Sequence, residues 1–373
     1  MEAARNEGTH DARVRDLEAA LRILRGAVAA KASDVHIKAG CVPRVRIRGQ
    51  VVPLEHPPLT PELVMTLLQS LANVAMVDPA RWQGKQVDYS CDVPELGRFR
   101  VHAYRQSGHW AGVLRYVRRS IPDLAALRLP AVIKRIAQLD RGLVVVTGAT
   151  GNGKSTTIAS LLEYINQKLP KHIVTLEDPI EYVFADNVAS FSQREIGRDV
   201  DSMQQGLEGA LREDPDVLFV GETRTLTEFE VALHAAESGR LVITTFHSTD
   251  VERAIARMIN MFPNDRQDQA RNRLADTLSA VISQKLIPQK GTTELILATE
   301  VLTRSPTVVD CIRDAARIKG LTAALEKGTN EYGSHSFDQV LMGLVKDGLV
   351  TIETAKSHVH SANDFVRALN LSR

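Results

Sequence analysis

The run from Arg141 to Thr157, Arg-Gly-Leu-Val-Val-Val-Thr-Gly-Ala-Thr-Gly-Asn-Gly-Lys-Ser-Thr-Thr, constrains this chain more than any other stretch. Leu143 to Val146 form a short, wholly apolar run rich in β-branched residues, the pattern of a strand buried on both faces. Gly148, Gly153, Lys154 and Ser155 then fall at the spacing G-x-x-x-x-G-K-[ST]. Beyond them Ile158, Leu161, Leu162, Ile165 and Leu169 recur at helical spacing until Pro170 ends the pattern. Strand, glycine loop and helix start, in that order, make a phosphate cradle. The glycines let backbone N–H groups converge on phosphate oxygens, Lys154 brings a cation to the β- and γ-phosphates, and Ser155 offers a hydroxyl to magnesium. Gly148, Ala149, Thr150, Gly151, Asn152, Gly153, Lys154, Ser155 and Thr156 are therefore read as binding a nucleoside triphosphate.

Upstream of the cradle the pattern is that of a separate α+β domain. Residues 1–15 are charged and unpatterned and read as a tail, after which Leu17, Leu21, Leu24 and Val28 mark a helix. Ala32 to Ile37 alternates like a strand, and Val42 to Leu54 reads as a hairpin turning at Arg48-Gly49-Gln50. Thr60-Pro61-Glu62 supplies a hydroxyl N-cap, a proline at N1 and a first-turn acid ahead of Leu63, Val64, Leu67, Leu68 and Leu71. Three strands follow, Gln86 to Val93, Gly97 to Gln106 and Trp110 to Arg118. In the second of these, Phe99, Val101 and Ala103 share one face and Arg98, Arg100, His102 and Tyr104 the other. The domain is placed at 16–120, with a linker over 121–128 and a nucleotide domain from 129 to 373 whose last part, about 304–373, is helical.

Downstream, acids collect where strands end. His172 to Leu176 leads into Glu177-Asp-Pro-Ile-Glu181, and Asp216 to Glu222 delivers Glu222 at its carboxyl end. Leu241 to Phe246 is followed by His247. Open α/β sheets bind ligands at that edge. Hydrolysis needs a carboxylate to orient or deprotonate water and a metal to neutralise developing charge. Glu181 is placed to face the γ-phosphate, and Glu222 to hold magnesium or its water alongside Ser155. His247 suits either a structural partner or a γ-phosphate sensor. Helices are expected around Leu129 to Leu139, Ser202 to Glu213, Leu226 to Ser238, Asp250 to Met261 and Gln267 to Ser283, with a hairpin from Gln284 to Leu302. A net charge of +1 argues against a dedicated nucleic-acid binder, and three scattered cysteines fit neither a disulfide framework nor a C-x-x-C metal site, which points to a reducing cytoplasm. The sequence shows no signal-peptide core and no run of about 18 apolar residues that would span a membrane.

Taken together, Ala32-Ser-Asp-Val-His-Ile37, Gly148 to Ser155, Glu177 to Glu181, Gln193-Arg-Glu195, Ala210 to Asp216, Gly221-Glu222 with Arg224, Ala236-Glu237 and Ile282-Ser-Gln284 resemble the PilT/PilU retraction ATPases of type IV pili, from about Leu17 to Leu371. The chain is similar to the PilU branch at Gly148 to Gly151, Gly221 to Thr225, Phe262 to Arg266, Phe337-Asp-Gln339 and Ser361 to Asp364. The resemblance implies a homohexameric ring of subunits, each with a PAS-like N-terminal domain and a RecA-like P-loop core, hydrolysing ATP with Mg2+ to power pilus retraction and twitching motility. It implies a cytoplasmic location, peripheral at the inner membrane through a pilus platform protein, and possible pairing with a retraction homologue. By resemblance Glu181 is the general base, Glu222 the Walker B acid, and Arg98, Arg100 and Arg115 reach a nucleotide. Two departures stand out. Arg240 replaces the first histidine of the histidine box, leaving His247, and Asp310 to Ala315 replaces the Ala-Ile-Arg-x-Gly-Lys motif needed for retraction in the PilT branch. That loss fits an accessory motor, or a weakly hydrolysing ring partner of another ATPase. A pilus-assembly or type II secretion ATPase is the remaining reading, disfavoured because the four-cysteine zinc module usual there is missing.

Overall fold

The computed structural model describes residues 18, 21–47, 49–117, 120–359 and 361–371, and the chain divides into two compact units, Met1–Ser120 and Ile121–Arg373. The expected tail over 1–15, Leu17, Arg48 and Arg118 lie outside the described residues.

The first unit is an antiparallel sheet covered on one face by helices. Helix α1 (21–29) precedes strands β1 (Asp34–Lys38), β2 (Arg44–Ile47) and β3 (Gln50–Pro53). Helix α2 (Pro61–Val74) then leads to β4 (Gln86–Val93), β5 (Gly97–Gln106) and β6 (His109–Val117), in the sheet order β3-β2-β1-β6-β5-β4. The predicted cap of α2 is present: Leu63 N donates to Thr60 Oγ1 at 3.2 Å with Pro61 in the first turn. Alternation sends Phe99, Val101 and Ala103 into one apolar cluster with Val35, Ile37, Leu114 and the α2 leucines Leu67, Leu68 and Leu71. Register aligns Ser90, Arg100, Arg115, Asp34 and Arg46 in a row across five strands on the opposite face.

The second unit is a buried parallel sheet with helices on both faces. Its elements begin with α3 (Val132–Ala137), β7 (Gly142–Thr147), α4 (Lys154–Lys168), β8 (His172–Glu177), β9 (Ser190–Glu195) and α5 (Met203–Ala210). They continue with β10 (Val217–Glu222), α6 (Leu226–Glu237), β11 (Leu241–Phe246), α7 (Val251–Asn260), α8 (Gln267–Thr277), β12 (Leu278–Pro288) and β13 (Leu295–Thr303). The strand order is β13-β12-β7-β11-β10-β8-β9, parallel except for the hairpin strand β13. Leu143 and Val145 face the layer of α5 to α8, while Val144 and Val146 face α3 and α4, which is why β7 reads as unbroken apolar sequence. The helices α9 (Pro306–Arg313), α10 (Leu321–Lys327), α11 (Thr329–Tyr332), α12 (Phe337–Lys346), α13 (Ile352–Lys356) and α14 (Ala362–Leu371) complete the chain. Phe337, Leu341, Ala355 and Phe365 of this last group pack on Ile287, Ile296 and Ala298 of the β12–β13 hairpin. The whole is the α/β architecture expected, and among the described residues no helix is long and apolar enough to cross a membrane.

The structure corrects several boundaries. The helix expected from Gln267 to Ser283 stops at Thr277, and Leu278 to Ser283 belong to β12, the neighbour of β7. A central strand is apolar on both faces, so its run cannot be told from a buried helical turn by periodicity. The helix expected around Leu129 to Leu139 is confined to α3, and that expected from Ser202 to Glu213 ends at Ala210, with Ser202 as its cap. Strand β9 carries polar residues at the sheet edge and is not evident from the sequence pattern.

Candidate active site

The loop that leaves β7 is shaped by its glycines. Gly148 sits at φ +148°, and a Cβ there would come within 2.7 Å of Gln284 O on β12. Gly153, at φ +79°, is the N-cap of α4 and provides no side-chain cap. By contrast, Ser202, Thr225 and Asp250 cap α5, α6 and α7 with side-chain oxygens. The first N–H groups of α4 are thus left for an anion, reinforced by the helix dipole. Asn152 pins the loop to β12, donating from Nδ2 to Gln284 O at 3.1 Å and accepting from Leu286 N at 3.3 Å. Gln284, fully buried, donates to Thr157 Oγ1 on α4 at 2.7 Å. Lys154 folds over the loop, its Nζ 2.8 Å from Gly148 O and 3.2 Å from Ala149 O. Burial pulls the Lys154 ammonium below its ordinary pKa, against the opposing carboxylates of Glu222 and Glu181. Both predicted acids therefore act on the cradle lysine. Ala149, Thr150 and Gly151 complete the turn, and Ser155 stands exposed in the first turn of α4.

Glu222, at the carboxyl end of β10, is held from both sides. Its Oε1 is 2.9 Å from His247 Nε2, and its Oε2 accepts from Arg224 at 3.1 Å. Burial alone would raise this carboxyl; the hydrogen bonds from Arg224 and His247 outweigh it and hold the pKa below the usual range. Arg224 also reaches toward Asp178 at 3.9 Å. The backbone that follows His247 is fixed. Ser248 N donates to Thr147 Oγ1 at 2.8 Å, and that hydroxyl donates back to Ser248 O at 3.1 Å. Arg257 holds the carbonyl of His247 at 2.7 Å.

Glu181 projects, exposed, from the loop after β8. Beneath it lies Glu177, 7% exposed, whose Oε1 accepts from Thr175 Oγ1 at 2.8 Å and Gln193 Nε2 at 3.2 Å. Its carboxyl also accepts the backbone N–H of Glu181; burial nevertheless pushes its pKa up to about 7. Tyr182 OH lies 2.9 Å from Thr156 Oγ1, joining this loop to α4.

In the first unit the three arginines differ. Arg98 is 6% exposed and pairs with Asp92 at 3.2 Å, so it is not displayed on the polar face as its alternation implied. Arg115 donates to the buried Asp34 at 2.8 Å. Arg100 stands exposed beside it. Arg240, which replaces the first histidine of the histidine box, lies at the end of β11 opposite the cradle edge. It precedes β11, its carbonyl accepts from Gly142 N at the start of β7, and its guanidinium donates to Ser238 Oγ and Leu211 O. A six-residue strand separates it from the cradle edge, about 20 Å at the usual rise.

Sequence reasoning missed Glu177, Tyr182, Gln193, Arg224 and Gln284 as members of the site. Gln193, Arg224 and Gln284 stood inside recognisable short motifs; Tyr182 carried no signal.

The family described as "Type II/IV secretion system protein" matches residues 10–329. The chain is 36% identical over 337 residues to the type IV pilus retractation ATPase PilT of Pseudomonas aeruginosa, covering 90% of this chain and 96% of that one. It is 36% identical over 347 residues to the type IV pilus ATPase PilU of the same organism, covering 92% and 89%. A crystal structure of the pilus retraction motor PilT with bound ADP superposes with a TM-score of 0.85 at 38% identity, covering 93% of this chain and 98% of that one.

Proposed function

The chain belongs to the type II/IV secretion system protein family, and from that premise we propose that it is an ATPase of type IV pilus retraction, working as a ring of identical subunits. The observation that carries this reading is the convergence on one sheet edge of the glycine loop after β7, the Glu181 loop after β8 and Glu222 at the end of β10, with both glutamates acting on Lys154. Lys154 and the N–H groups of α4 bind the β- and γ-phosphates. Glu181 orients and deprotonates the attacking water, as an exposed carboxylate close to the cradle can. His247 and Arg224 keep Glu222 ionised and oriented. Ser155 and Glu222 offer oxygen donors of the kind magnesium prefers, and Mg2+ bound there would neutralise charge developing on the phosphate. Arg100 and Arg115, and Arg98 two residues along β5 from Arg100, complete a nucleotide site in the ring.

An accessory role beside a second retraction ATPase is favoured by one feature, the replacement over Asp310 to Ala315. There Cys311 and Ile312 are buried and Arg313 is spent on a bond to Asp276. Steady-state ATPase assays of the full chain test both readings. Lys154→Ala is expected to lose nucleotide binding, and Glu181→Ala to bind ATP but turn over about 100-fold more slowly or worse. Activity that rises only when a retraction homologue is added marks the accessory motor; undiminished turnover in Glu181→Ala moves the base to Glu222.

A further inference from the structure

We infer that Gln193 is a positioning residue for hydrolysis, clamping the backbone of the loop that carries Glu181; this rests on the reading of Glu181 as the base. The loop leaves the sheet after Glu177 and lies outside any strand ladder until Ser190. Its shape therefore depends on side chains that reach for its main chain. Glu195 Oε2 accepts from Ile180 N at 3.3 Å, and Glu177 accepts from the N–H of Glu181. Gln193 does the most. Its Nε2 donates to Tyr182 O at 2.9 Å and to Glu177 Oε1 at 3.2 Å, while its Oε1 accepts from Phe184 N at 2.9 Å.

Only an amide offers two donors and an acceptor at that fixed spacing; a carboxylate or an ammonium supplies one kind alone. Glu181 is bracketed as a result. Its own N–H is tied to Glu177, the next carbonyl is tied to Gln193, and these two anchors are tied to each other. These hydrogen bonds all go to the acid loop and its anchor, so Gln193 acts on turnover through the place of Glu181 and not through the nucleotide. Misplacing a catalytic group by about 1 Å costs up to 100-fold in rate.

The test is steady-state kinetics of the full chain carrying Gln193→Ala, Gln193→Glu or Glu181→Ala, followed from pH 6 to 8. Gln193→Ala is expected to lower kcat about 10- to 100-fold while KM for ATP stays within about twofold. Gln193→Glu keeps the shape and the bond to Phe184 N. Ionised, it cannot donate to Tyr182 O, and it faces Glu177 across the strand pair, Glu195 along its own strand and Glu181 in the loop. Protonation returns a donor, so its kcat relative to the parent is expected to climb as pH falls, and more steeply than that of Gln193→Ala, in which only the neighbouring Glu177 titrates. A role in strand stability alone would lower Tm without that pH signature. Should Gln193→Ala fail to fold, the glutamate variant decides. Full turnover in Glu181→Ala removes the base assignment and this inference with it. An inactive Glu181→Ala beside Gln193 variants within about twofold of the parent, or a pH-independent deficit in Gln193→Glu, overturns the clamp and leaves the base standing.

Discussion

Glu177 shows how one side chain can serve the site without touching substrate. Its carboxyl is buried, and folding raises its pKa from an ordinary glutamate value to about 7. The folded state therefore holds the proton more tightly than the unfolded chain. The stabilisation this brings is complete below the unfolded pKa and is lost as pH rises through the folded one. Glu177→Gln, which cannot ionise, is expected to gain stability on the parent between pH 5 and 8, by about 1–3 kcal/mol at the alkaline end. Tm measured across that range checks it; a constant offset between the two proteins would mean that Glu177 does not titrate there. Single residues were unevenly legible. Gly148, Lys154 and Ser155 declare themselves by spacing, because backbone approach to a phosphate tolerates few alternatives. Glu177 and Glu181 look alike in sequence, and only burial separates the anchored Glu177 from the exposed Glu181. Arg98 and Arg100 likewise share a predicted face, and it took the ion pair to Asp92 to set Arg98 apart.

Among the elements, β13 has a task beyond pairing. Its buried Glu300 accepts from Val251 N at 2.8 Å and Phe337 N at 3.4 Å, the first residues of α7 and α12. One carboxylate thus serves the N-termini of two helices, where negative charge is favoured. Glu300→Ala leaves both donors short of that partner, at about 1–3 kcal/mol for each. Glu300→Gln keeps an acceptor for one of the two donors and sets its amide NH2 against the other, so it is expected to recover no more than about half of the loss in urea unfolding of the full chain; equal loss in both variants would assign the effect to charge instead. An element with a cap and an amphipathic stripe, such as α2, could be read directly. Strands β9 and β12 could not. The first is a polar edge strand without alternation, and the second is buried on both sides, so that its opening residues continue the apolar rhythm of α8.

At the scale of the whole molecule, the arginine row and the phosphate cradle belong to different compact units. On the role proposed for Arg100 and Arg115, the nucleotide they serve is held by a unit other than their own, which a ring of identical subunits can supply. An arginine completing such a site contributes about 10³-fold or more in rate. Mixing Arg100→Ala subunits with Lys154→Ala subunits, each inactive alone, is expected to restore activity, because some interfaces then join an intact arginine to an intact cradle. Full assembly without recovery at any ratio means that the arginines act within one chain or only pack. Strand β12 adds a mechanical consequence. Asn152 of the phosphate loop grips its backbone at Gln284 and Leu286, and Lys285 between them points away to the far face. There its ammonium meets the carbonyl of His358 at 3.1 Å and lies 4.0 Å from the centre of the Phe337 ring. That strand is a shared beam, on which the phosphate loop and the C-terminal helices rest at successive residues.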